Sequence, residues 1–100
     1  MININVIRNA GDKICGVKVL NHGDPVVCSA VSILLLNACN SIEMFTSAEF
    51  SVDIAPEGGD AVLTVSRFDD EGKAELLLNS LVLGYKSIEE SYKDDIIVYD

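Results

Sequence analysis

The sequence predicts an α+β fold, a mixed sheet with two helices packed on it in the order ββαββαβ. Three observations predict it. Apolar residues alternate at period two near the start, in the middle and at the end of the chain. Between these stretches they recur at helical spacing, from Val27 to Ile42 and from Ala74 to Tyr92. Clusters of Gly, Pro, Asn and Asp separate the segments. At 100 residues, 49% of them hydrophobic, the chain reads as one domain, residues 1–100, with one modest core.

Each element has its own warrant. Ile2, Ile4 and Val6 alternate with polar or outward positions and read as a strand. Asn9-Ala10-Gly11-Asp12 is turn chemistry, so a second strand from Ile14 to Leu20 pairs back as a hairpin. Asp24 suits an N-cap, and Pro25 the first helical position, where no amide hydrogen is needed. Val27, Val31, Leu34, Leu35, Ala38 and Ile42 then form the core stripe of the first helix. Ile33 and Leu36 lie on its other sides, so it is expected to be mostly buried. Phe50, Val52 and Ile54 form a strand, 56–60 (PEGGD) a turn, and Ala61, Leu63 and Val65 the partner strand. Asp69, Asp70 and Glu71 place negative charge at the positive end of a second helix. Its core stripe is Ala74, Leu77, Leu78, Leu81, Tyr85, Ile88 and Tyr92, while Leu76, Val82 and Leu83 lie partly outside it. The helix frays at Lys93-Asp94-Asp95, and Ile96 to Tyr99 is a final short strand.

Composition narrows the function classes. The net charge of −9 repels nucleic acid and acidic membrane surfaces and favours a basic partner. Asn37 and Asn40 interrupt the most apolar run, so no membrane span is expected. The opening MININVIRNA lacks a basic region followed by an apolar block, and the expected location is cytoplasmic. Three cysteines without paired spacing read as reduced thiols, and one histidine with no CxxC leaves too few soft ligands for a zinc site. No metal or organic cofactor is expected.

The chemistry concentrates at His22 and Cys28. If Asp24 caps the helix, Cys28 is its fourth residue, where the dipole and unpaired amides of the first turn favour a thiolate. His22 precedes the cap by two residues and can fold over the helix start. Together they make a Cys/His dyad, with helix amides available for a developing oxyanion. Cysteine is also a common small core residue. Cys15, in a strand, and Cys39, on the helix, fit that role.

The segment VVCSAVSILLLNACNSI resembles the helix of the ribosomal-processing cysteine proteases, the Prp family. Val27, Cys28, Ala30, Val31, Ser32 and Asn40 fall on the family pattern, and 74–98 (AELLLNSLVLGYKSIEESYKDDIIV) resembles its closing helix and strand. The resemblance implies that Cys28 is the nucleophile and His22 the general base of an endopeptidase. Such enzymes trim an N-terminal extension from a basic protein precursor of the large ribosomal subunit. It also implies a homodimer, to which the surplus apolar residues of the second helix point independently. Ser32, one turn after Cys28, and Asp24 are supporting candidates. Asn21 stands where the family has glycine, Gly23 where it usually has alanine, and Asp24 lies one position early. The His-to-Cys loop, which in the family is thought to be mobile and to admit substrate, is short. A shortened loop also fits a second reading, a non-catalytic binding module that holds a basic, ribosomal partner. A redox thiol enzyme lacks a resolving cysteine near Cys28.

Overall fold

Alternation in the first twenty residues resolves into β1 (Ile2–Arg8) and β2 (Ile14–Leu20), an antiparallel hairpin in a computed structural model that describes residues 1–57 and 59–100. Asn9 closes the turn: its Oδ1 accepts the Gly11 and Lys13 amides, both at 3.0 Å, and Asp12 takes a left-handed φ of 62°. After α1 (Pro25–Phe45), β3 (Glu49–Ile54) pairs antiparallel with β4 (Ala61–Arg67); Gly58, part of the expected turn, lies outside the described residues. Next come α2 (Lys73–Ser91) and β5 (Ile96–Tyr99), the latter parallel to β1. The sheet order is β3-β4-β2-β1-β5, and the pairing is mixed as expected.

The core forms where the helices meet one face of this sheet. Ile2, Ile4, Val17, Val19, Leu63 and Val65 supply the sheet side, Val27, Val31 and Ile42 come from α1, and Leu78, Leu81 and Tyr85 from α2. Removing that much apolar area from water is the dominant stabilising term. Tyr85 is buried among them, and among the described residues its hydroxyl has no hydrogen-bond partner.

Burial differs from the sequence expectation at the flanks. Ile33 and Leu36 of α1 are 64% and 53% exposed, because α1 spends only the Val27–Val31–Leu35–Ala38–Ile42 stripe on the core. At 21 residues α1 is also long and apolar enough to cross a membrane by length and composition, so Asn37 and Asn40 do not interrupt it as expected. Tyr92 follows the end of α2 as its C-cap and is 44% exposed rather than part of the core stripe. Val82, expected outside the stripe, is buried, whereas Leu76 and Leu83 are exposed.

The acidic run before α2 acts through one member. Gly72 is the residue before the helix and has a left-handed φ of 77°, so the cap comes from further back. The Asp69 carboxylate accepts the Lys73 and Ala74 amides, each at 2.9 Å, and these bonds hold its carboxyl below the usual carboxylate range.

Candidate active site

The end of β2 and the start of α1 set the site. Asn21 leaves β2 in the left-handed region, at φ 70°. Asparagine is among the few non-glycine residues that adopt this conformation readily. His22 and Gly23 follow, and Asp24 caps α1: its Oδ1 accepts the Val26 amide at 2.9 Å and the Val27 amide at 3.4 Å, with Pro25 at the first helical position. Cys28 is thus the fourth helical residue, as its spacing predicts.

The cap changes the electrostatics expected there. The amides of Val26 and Val27 are held by Asp24 Oδ1, and the Cys28 amide donates to the Asp24 carbonyl at 2.9 Å. The first turn therefore has no spare amide for an oxyanion, contrary to the sequence reading. Gly23, just before the cap, stands beside the sulfur instead. Its N–H lies 3.4 Å from Cys28 Sγ, and its carbonyl oxygen 3.7 Å from the same sulfur. A thiolate can accept the N–H, and a thiol can donate to the carbonyl, so either form of Cys28 has a backbone partner.

Asn21, His22, Cys28, Ser32 and Gly59 line one cavity of about 160 Å³, with Ile2, Val19 and Val31 as its apolar walls. His22, Cys28 and Ser32 are thereby brought together. Asp24 is engaged in capping. Cys15, buried in β2, and Cys39, half-buried on α1, lie outside this cavity, and burial pushes the Cys39 thiol up. Among the described residues no group of three His, Cys, Asp or Glu side chains is placed to hold a metal ion.

Two residues that the sequence reading left in a turn belong to the site. Because β2 pairs with β4 through Val19 and Ala61, the β3–β4 turn stands beside Asn21 and His22. Asp60 Oδ1 accepts the Asn21 amide at 2.8 Å. Gly59 has φ 90°, and a β-carbon there would overlap Cε1 and Nε2 of the His22 ring and stand 3.0 Å from Nδ1. Glycine is needed here for both the backbone and the space. The Gly-Gly-Asp run was the available signal, but nothing local says which side chain it faces.

The match to known proteins is decided by a family model. The model described as "Cysteine protease Prp" matches residues 1–97. The chain belongs to the Prp cysteine protease family. The ribosomal processing cysteine protease Prp of Bacillus subtilis is 30% identical over 80 residues, covering 77% of this chain and 71% of that one. A crystal structure of an essential ribosomal processing protease Prp from S. aureus, in complex with a covalently linked product peptide, superposes with a TM-score of 0.90. It is 24% identical and covers 99% of this chain and 98% of that one. A second S. aureus Prp structure, in complex with a substrate peptide, has a TM-score of 0.83 at 25% identity and spans both chains in full. The ββαββαβ order and the five-stranded mixed sheet are those of Prp.

Proposed function

We propose that this Prp-family protein is a cytoplasmic endopeptidase that removes an N-terminal extension from a large-subunit ribosomal protein precursor. Cys28 Sγ attacks the scissile carbonyl after His22 takes its proton. His22 then returns the proton to the leaving amine, and water hydrolyses the thioester. The Gly23 N–H, beside Sγ, is the donor for the developing oxyanion. Ser32 lines the same cavity, one turn from Cys28, and offers a hydroxyl near the thiolate.

The observation that carries this reading is one cavity shared by His22 and Cys28 at the N-terminus of α1. The relatives support it: the B. subtilis protein is named a ribosomal processing cysteine protease, and its S. aureus counterpart has been seen with a substrate peptide. The net charge of −9 suits a strongly basic ribosomal substrate. The test is incubation with the host's own ribosomal precursor, read by mass spectrometry. Cys28→Ala and His22→Ala should each abolish cleavage while the fold is kept, because the pair acts as a unit.

The compact His-to-Cys segment favours one rival, a binding module that holds the precursor without cutting it. Thiol reactivity separates the two. In the protease, Cys28 keeps alkylating at mildly acidic pH, much faster than buried Cys15 or half-buried Cys39; in a pure binding module its rate falls with pH as an ordinary thiol's does.

A further inference from the structure

His22 sits on a short piece of chain that has left β2 and not yet entered α1. Among the described residues no hydrogen bond holds its ring, so the ring is aimed by the backbone that carries it and the surface it rests on. That backbone starts from a strained residue. Asn21 is at φ 70°, a region that residues with a β-carbon leave readily unless their surroundings hold them there. Asp60 is what holds it. Its Oδ1 accepts the Asn21 amide at 2.8 Å, a short bond. Asp60 is itself fixed: its carbonyl accepts the Ala55 amide at 2.9 Å, and the next residue, Ala61, pairs with Val19 of β2 and Ile54 of β3. The residue before it, Gly59, is the one against which the His22 ring rests.

We infer that Asp60 is a positioning residue for His22: by holding the Asn21 amide it keeps the ring seated on Gly59, in the cavity shared with Cys28. The bond acts one residue before His22, at the pivot where a change in the Asn21 dihedrals would swing the ring away. Restraints beyond the pivot are longer. The Met1 nitrogen donates to the His22 carbonyl at 3.2 Å, and Gly23 meets Cys28 Sγ at 3.4 and 3.7 Å. Among the described residues the Asp60 bond is the restraint on the Asn21 amide. The β3–β4 turn is thus a two-part template, in which Gly59 makes room for the ring and Asp60 sets the backbone that delivers it. What acts is an acceptor oxygen, so a carboxamide at position 60 would serve. A displacement of about 1 Å in reacting groups can cost on the order of a hundredfold in rate, so loss of one bond at the pivot should be visible in turnover.

The catalytic consequence rests on the protease reading, but the place of the ring is measurable without cleavage. His22 is the one histidine in the chain, so its Cε1 proton gives a single unambiguous NMR signal. In the unsubstituted chain that proton should show a strong NOE to a Gly59 α-proton. Asp60→Ala should lose the NOE and release the Asn21 amide to solvent exchange, whereas Asp60→Asn should keep both. Asp60 is exposed, so neither change threatens the fold. With the host's ribosomal precursor, Asp60→Ala should lower kcat at least about tenfold with KM nearly unchanged, and Asp60→Asn should restore most of it. An undiminished NOE in Asp60→Ala overturns the assignment, as does a loss confined to KM, which would place Asp60 against the peptide. An Asn variant that keeps the Asn21 amide protected but loses the NOE overturns it too, because the charge and not the bond would then hold the ring. If the NOE follows the expected pattern but the unsubstituted chain leaves the precursor uncut, the positioning assignment stands and the protease reading fails.

Discussion

Replacing Asp24 tests whether the helix start that carries Cys28 is built as described. The Asp24 carboxylate accepts two amides, Val26 at 2.9 Å and Val27 at 3.4 Å, and the second bond is long enough to contribute little. Asp24→Ala removes both and leaves two first-turn amides to water. N-cap losses of this kind cost about 0.5–2 kcal/mol, and one good bond with one weak one points to the middle, about 1 kcal/mol. For a chain of this size that lowers Tm by about 4–8 °C. Asp24→Asn keeps an acceptor and is nearly as good a cap, so it should lose only the charge–dipole part, about 0.3–1 kcal/mol. Differential scanning fluorimetry on the three proteins reads the series. The variants should rank wild type, Asn, Ala in falling Tm. An Ala variant with the wild-type Tm would show that Asp24 does not cap α1 and that Cys28 is not its fourth residue.

Three further predictions follow from the same geometry. Gly59→Ala sets a β-carbon against the His22 ring and puts alanine at φ 90°, a strain of about 1–3 kcal/mol; precursor cleavage by the folded variant should fall at least tenfold, and an unchanged kcat would mean that His22 does not seat against Gly59. Asp69 has its carboxyl held down by the Ala74 and Lys73 amides, so its contribution is complete above the ordinary carboxylate value, about 3.9, and is lost as pH falls from there through the folded value. The Tm advantage of wild type over Asp69→Asn should accordingly shrink as pH drops below about 4; a gap that stays constant down to the acid limit contradicts the cap. Leu76 and Leu83, 69% and 67% exposed on α2, are the proposed homodimer contact. Light scattering at tens of micromolar protein should give twice the 10.8 kDa chain mass, and Leu76→Glu with Leu83→Glu should halve it; a 10.8 kDa species before mutation refutes the dimer.

Local chemistry made much of this fold legible. The Asn9 turn, the Ile2–Ile4 alternation and the Asp24-Pro25 helix start each depend on residues within one turn or one strand, and each appears where its pattern places it. What failed depends on how elements sit across one another. Period two groups Phe50, Val52 and Ile54 on one face, but not how far α1 extends over the sheet edge, so their exposure was not readable. Helical spacing put Leu36 on the first helix with no means of knowing that a groove would open beside it. The site shows the same division. His22, Cys28 and Ser32 are close in sequence and meet in one cavity. Gly59 and Asp60 reach them only through the pairing of β2 with β4, and the Asn21–Asp60 bond joins residues 39 positions apart. The acidic residues before α2 were placed correctly, but only Asp69 reaches back to cap it, because Gly72 turns the chain between them.

The central claim is that Cys28 forms the covalent bond to the peptide being cut. Intact-protein mass spectrometry after rapid acid quench of the chain mixed with its host's ribosomal precursor tests it directly. The account predicts a transient adduct, with the mass of the released N-terminal extension less one water, mapping to the tryptic peptide that contains Cys28 and absent from Cys28→Ala. Cleavage that persists in Cys28→Ala, or an adduct mapping to Cys15 or Cys39, would contradict it.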